Sequence, residues 1–305
     1  MQNKTQENNQ TKIIHITKDI NISFSAHNIL GKFAFNINES QETNLIIDFS
    51  NVNFISANQF AVLGCIMEAF KDNNKEKRLQ IFGINDRIKK IIQKNGFGRY
   101  IGLERKRDEF NTVIPYKVFG EYEIVEYEKY LTLSLFGRDD LPAMSDAVRS
   151  TIQDYLLELF KNVHDHTTSK KVHTCGQYFP RSSKLFFTIA DSGETVQHNV
   201  CSYMGKYNKD IPDNCLNWAL QEGNSTREGD SPGGLGLSLI KSFIALNKGE
   251  FHIISGAECF EFGCHGERYK NMEYLFPGTI VTIGFNLNDN DKYFLNSEID
   301  SDIIF

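Results

Sequence analysis

The 305-residue chain predicts an α/β protein of the mixed α+β kind, built as two domains. Three observations carry that expectation. Short β-branched runs alternate with helical patterns through the first hundred residues, which makes a small α/β layer domain. In the second half a long helical pattern precedes apolar strands punctuated by glycine turns, which makes an α/β sandwich. The composition, 40% hydrophobic and 24% charged, is that of a soluble globular protein.

Charge and cysteine usage narrow the function classes. A net charge of −6 argues against general nucleic-acid binding, although 33 Lys and Arg leave room for a local basic patch. The six cysteines, at 65, 175, 201, 215, 259 and 264, form no Cys-x-x-Cys pair and read as reduced thiols of a cytoplasmic protein. The polar start, Met1 to Lys12, lacks the apolar core of a secretion signal, and no apolar run approaches membrane-spanning length.

Residues 1–12 are rich in Asn and Gln and read as a disordered lead. Residues 13–16 and 20–24 read as short strands joined by a turn. Residues 45–49 are a buried strand that Ser50 and Asn51 break. Phe60, Leu63, Ile66, Met67 and Phe70 recur at helical spacing, and Ser56 reads as a helix N-cap. Residues 78–82 form another strand. Ile88, Ile91 and Ile92 lie on one face of a helix that Asn95 and Gly96 end. A mixed charge run at 104–109 leads to a strand at 110–119. The acidic stretch 121–128 reads as a linker, so the first domain spans 13–120 and the second 121–287.

Asp48 and Ser50, followed by Ser56-Ala57-Asn58-Gln59, resemble the signature of STAS domains, the anti-sigma-factor-antagonist fold. That family has an Asp-x-Ser strand end and then an Asp-Ser-Ser-Gly turn opening a helix. The first half matches and the second departs. The family's phospho-accepting serine falls on Ala57 or Asn58, so the resemblance implies a degenerate STAS-like domain that has lost its phospho-switch.

Residues 130–136 alternate and read as a strand opening the second domain. A long helix follows, carried by Met144, Ala147, Val148, Ile152, Tyr155, Leu156, Leu159 and Val163. Glu158, Asn162 and His166 repeat every four residues on one face of it, either as a functional acid–amide–histidine group or as a polar stripe. An apolar strand at 183–190 ends in Asp191-Ser192-Gly193. There Asp191 either accepts a hydrogen bond from an exocyclic amine or makes an ordinary Asx turn.

Residues 196–222 are insertion-like, with a helix near 213–221 that carries the single tryptophan, Trp218. Polar turn formers from Gly223 lead to Gly233, Gly234 and Gly236. An apolar helical run, Leu237 to Leu246, then stops at Lys248 and Gly249. A glycine loop entering a helix N-terminus suits phosphate, and read alone it is equally a tight turn. A hairpin follows residues 251–254. Pro277, Gly278 and Thr279 open a last alternating strand.

The order and spacing of these four groups resemble the GHKL superfamily, the ATP-binding fold of gyrases and histidine kinases. Glu158 to Asn162 with His166 is similar to its N box, Asp191-Ser192-Gly193 to its first glycine box, and Gly233 to Leu237 to its second. Gly278-Thr279 is similar to its closing Gly-Thr. The resemblance implies ATP and Mg2+ as ligands. Asn162 would donate an oxygen to the Mg2+ on the triphosphate, and Glu158 would be the general base. Asp191, with Thr279 and a water, would hold the adenine amine, and Gly193 would let the base approach. Gly233, Gly234 and Gly236 would cradle the phosphates, with His166 near them. Thr195 stands where the first glycine box has a second glycine.

Other chemistries fit less well. No Gly-x4-Gly-Lys-Ser/Thr loop and no Gly-x-Ser-x-Gly elbow exist, and Cys259, Cys264, His265 and His252 fit no common zinc spacing. Three functions follow from the resemblance. The chain is an ATP hydrolase that switches partner binding, an anti-sigma-factor-type serine/threonine protein kinase, or a non-catalytic nucleotide sensor. The expected partner is another protein, reached through the STAS-like domain or the acidic tail 288–305, or a second copy of the chain. No membrane or nucleic acid is expected.

Overall fold

The structure, a computed structural model, describes residues 11–166, 171–226, 236–295 and 298. Its first sheet is parallel, in the order β1 (Thr11–His15), β2 (Asn44–Asp48), β3 (Arg78–Phe82). Parallel strands require crossovers, and α1 (Phe24–Asn38) and α2 (Gln59–Asn73) supply them. Helix α3 (Asp86–Asn95) follows. Asn85 caps it by accepting from the Ile88 N–H at 2.9 Å, and Gly96 ends it at φ 88.

Two local expectations fail here. Residues 20–24 are not a strand. Ile20 makes one isolated bridge to Ile55, and Ser23 caps α1 by accepting from the Ala26 N–H at 3.2 Å. Ser56 does not cap α2 either, because the helix starts at Gln59 and the cap position is Asn58.

The second sheet is antiparallel, in the order β4 (Val113–Phe119), β6 (Val172–Phe179), β7 (Lys184–Asp191), β9 (Gly266–Asn286), β8 (Glu250–Gly263). The strand expected at 110–119 is therefore an edge of this sheet, and the chain leaves the first sheet before residue 113. The strand expected at 130–136 is instead the end of α4 (Ile124–Tyr130) and a π-helical turn at 131–135. Leu131 and Leu135 are buried while Leu133 is exposed. An alternating run also contains the i, i+4 pair of a helix, and packing chose the helix. Helix α5 (Asp146–His166), α6 (Val196–Lys206), α7 (Cys215–Ala219) and α8 (Gly236–Leu246) complete the fold with a short parallel pair, β5 (Ala143–Met144) and β10 (Lys292–Tyr293).

Strand alternation gives the large sheet two different faces. Leu185, Phe187 and Ile189 of β7 and Val281, Ile283 and Phe285 of β9 face a helical layer of α4, α5 and α8. Tyr127 and Phe160 stack inside it with ring centroids 4.7 Å apart. Cys175, Ala190, Ile254 and Ile280 face the other way and share one core with α1 and α2. Burying side chains of this size contributes about 1.5–3 kcal/mol each.

Polar contacts fix the register of that second contact. The Ala57 N–H donates to Gln177 Oε1, and Asn58 Nδ2 donates to Thr188 Oγ1 at 2.9 Å, itself 2.8 Å from Thr282 Oγ1. Lys171 Nζ pairs with Glu68 at 2.5 Å, and the Tyr116 hydroxyl lies 2.9 Å from His173 Nδ1. The start of α2 is thus packed against the large sheet. Ala57 and Asn58 are fully buried, so restoring a serine with Ala57→Ser is expected to give no phospho-acceptor. Incubation with labelled ATP should leave the variant unlabelled, because a phosphate there would be desolvated without a cation. Label at residue 57 would show that this end of the helix opens.

Candidate functional site

Asp191 is the last residue of β7 and, two positions beyond Ile189, points to the helical face. Strand register then sets Thr279 of β9 beside it and Ser255 of β8 beside Thr279. The result is a polar ladder across three strands, with Ser255 Oγ 2.8 Å from Thr279 Oγ1. Asp191 Oδ1 accepts from the Gly193 N–H at 2.8 Å and is almost wholly buried. Burial pushes its carboxyl up to about 7, against the pull of the Gly193 and Thr279 backbone N–H groups.

Backbone shape holds this corner open. Gly278 sits at φ 136, where an added Cβ would lie 2.7 Å from the Ser192 Cα. Thr195, standing where a glycine was expected, caps α6 by accepting from the His198 N–H at 3.1 Å. Its methyl fits over Gly256, whose φ of 58 follows a break in the β8 register. Ser255 also accepts from the Val196 N–H at 2.8 Å and so anchors the start of α6. Ser255 escaped the motif reading. Its signal was the isolated Gly256 inside a strand pattern, which marks a bulge. Behind the turn, Cys65 of α2 lies within electrostatic reach of Ser192 and Asp191.

Two helices aim at the same end of the sheet. Asn247, just after α8, brackets Asn286 with two bonds, 2.7 Å from its N–H and 3.0 Å to its carbonyl. That fixes the last turn of α8 at the sheet end about 23 Å away from Thr279. The helix returns along the sheet, with Phe243 6.2 Å from Phe285, so its N-terminus at Gly236 faces the Asp191 end. Helix α5 starts at the far end too, where the Ser145 N–H donates to the Tyr293 carbonyl at 2.9 Å. It runs about 31 Å. Its last residue, His166, precedes by seven positions His173, which pairs with Ala190 next to Asp191, a reach of at most about 25 Å.

The sequence candidates distribute as follows. Asp191, Gly193 and Thr279 come together. Glu158 is half-buried in the C-terminal half of α5, where burial first and then the Glu158 charge raise the Tyr155 hydroxyl. Asn162 and His166 belong to the same helix, but their side chains lie outside the described residues, as do Gly233 and Gly234. Gly236 is the first residue of α8.

Cys259 is buried, Cys264 is exposed, and His252 sits 3.4 Å from Glu250 and 3.8 Å from Glu261. No group of three or more His, Cys, Asp or Glu among the described residues is placed to hold a metal. Trp218 packs against a small cluster of Val200, Met204 and Cys215 beside α6 and α7. Among the described residues no helix is long and apolar enough to cross a membrane.

Comparison with known proteins covers the amino-terminal part. The family model of the STAS domain matches residues 2–110, ending just before β4. The chain therefore carries a STAS domain at its amino end, a class of module that makes protein–protein contacts. No curated protein matches the chain.

Proposed function

We propose that this chain, with a STAS domain at its amino end, is an ATP–Mg2+-binding regulatory protein of GHKL type whose nucleotide state sets its engagement of a protein partner. The observation that carries this reading is the buried Asp191–Thr279 pair, lying at the sheet end toward which α8 and the C-terminal half of α5 both point. A buried carboxylate with lone pairs to spare matches the exocyclic amine of adenine. The free N–H groups and dipole of the α8 N-terminus suit phosphate, with Gly233, Gly234 and Gly236 as the cradle. Asn162 supplies the kind of oxygen that Mg2+ takes, the triphosphate and waters completing its shell, and His166 lies a turn further along α5. Bound Mg2+ would offset the charge of the phosphates, while Glu158 orients the attacking water.

The arrangement of the STAS domain favours hydrolysis over self-phosphorylation. The helix end that carries a phospho-acceptor in its relatives is buried against β6 and β7 and bears Ala57 and Asn58. The same helix packs on β7 and brings Cys65 within electrostatic reach of Asp191, a direct route from nucleotide to STAS domain. The partner then docks on the STAS domain, on the acidic tail, or as a second copy of the chain.

Calorimetric titration with Mg-ATP, beside Asp191→Asn, tests the reading. The wild type should bind, and the variant should lose about 10- to 100-fold in affinity, the worth of a hydrogen bond to a charged group. Affinity of the wild type should also rise between pH 6 and 8. The unliganded carboxyl is pushed up to about 7, and its ionised form is the stronger acceptor for the amine. Equal binding by both proteins would remove Asp191 from the adenine site, and binding by neither would sink the nucleotide reading.

A further inference from the structure

A second cleft, of about 520 Å³, lies far along the chain from the Asp191 corner, between the 103–111 loop and the turn at 131–138, with Val113 and Pro115 as its floor. That volume falls in the ordinary range of small-molecule sites, about 300–1,000 Å³. Five cations line it against one carboxylate, on a chain whose net charge is −6. Two of them are already paired. Lys94 lies 3.1 Å from Asp108, and Arg138 grips Asp140 with bonds of 2.8 and 2.6 Å. Arg105, Lys106 and Arg107 are exposed and have no ion pair among the described residues.

These three are consecutive and sit on a loop whose backbone is fixed in advance. The Leu103 N–H donates to the Gly98 carbonyl at 2.8 Å and the Lys106 N–H to the Gln93 carbonyl at 3.0 Å. Asp108 accepts from Lys94, from the Thr112 hydroxyl at 2.9 Å and from the Val113 N–H at 2.8 Å. Across the cleft Arg138 donates to the Asn111 carbonyl at 2.9 Å, tying the end of the loop to the opposite wall. Three like charges held on a rigid loop repel one another, and an anion between them relieves that repulsion. Leu133, exposed on the far wall, offers an apolar surface to the rest of such a ligand.

We propose that this cleft binds a phosphate-bearing small molecule, its phosphates on Arg105, Lys106 and Arg107 and its organic part against Leu133. The walls come from the connection after α3 on one side and the turn after α4 on the other. The ligand therefore bridges the end of the STAS domain and the helical layer of the large sheet. The cleft is a single pocket on an acidic chain, which favours a small molecule over a nucleic-acid strand that needs a continuous basic track.

The test uses the full chain and inorganic tripolyphosphate as the probe, followed by calorimetry in the wild type, in Arg105→Glu/Arg107→Glu and in Asp191→Asn. The wild type and Asp191→Asn should show a saturable site that the double variant lacks or binds at least about tenfold more weakly. Mg-ATP binding sensitive to Asp191 should persist in the double variant, which separates this cleft from the site proposed above. Unchanged tripolyphosphate binding in the double variant, or no saturable site in the wild type, overturns the proposal. A single-stranded oligonucleotide or an acidic peptide binding more tightly than tripolyphosphate, through the same arginines, overturns it in favour of a macromolecular partner.

Discussion

Replacing Glu158 with alanine is expected to lower ATP turnover by about 10²- to 10⁴-fold, the range that a positioned general base contributes, while Mg-ATP affinity stays close to the wild type. Glu158 sits half-buried on α5, the helix that runs toward the Asp191 end of the sheet. On the proposed function, removing its carboxylate would take away the group that orients water in the transition state and would leave ground-state contacts to adenine and phosphate in place. Glu158→Gln keeps the shape and one acceptor oxygen but no base, so it should fall as far as alanine. Single-turnover phosphate release beside calorimetry separates the two effects. Turnover at the wild-type rate in either variant would take the base assignment away from Glu158, and a parallel loss of binding would make it a structural residue.

The second large effect concerns stability. Gly278→Val is expected to destabilise the fold by about 3 kcal/mol or more and to abolish nucleotide binding with it. At φ 136 the backbone is in a region that a β-branched residue does not tolerate. The added Cβ would run into the Asp191 carbonyl oxygen and come within 2.7 Å of the Ser192 Cα. Both obstacles are backbone, so no side-chain rotation relieves the clash, and the turn that carries Asp191 must move. Gly205→Ala in α6 is the control. Its Cβ meets nothing within 4 Å, and alanine in a helix should be neutral or stabilising by up to about 1 kcal/mol. Urea unfolding of the two variants reads the contrast, and a Gly278→Val midpoint equal to that of the wild type would show that this corner is soft.

Much of the architecture was legible because it rests on period and punctuation. The runs at 45–49 and 78–82 are β2 and β3, the spacing from Phe60 to Phe70 is α2, and Gly96 ends α3. Asp191 stands at the end of a buried strand, as the apolar run before it requires. The two misread strands share one cause. Residues 20–24 and 130–136 alternate in a way that a short window cannot separate from a helix start or an i, i+4 pair. Helix α1 went unread: Ala26, Leu30, Phe33, Ala34 and Ile37 carry its period, but the strand expected at 20–24 covered its start and the residues after it drew no expectation.

What the sequence determined by itself was therefore local: which segments are apolar on one side, where they stop, and which polar residues end them. The tertiary structure alone decided which of those ends meet. Asp191, Thr279 and Ser255 are neighbours only because three strands pair in one register, and β4 joins the second sheet only because β6 offers it an edge. The burial of Ala57 and Asn58 against Gln177 and Thr188 was likewise invisible. Residues 120 and 130 positions apart share no period, and only the packing of two apolar faces brings them into contact.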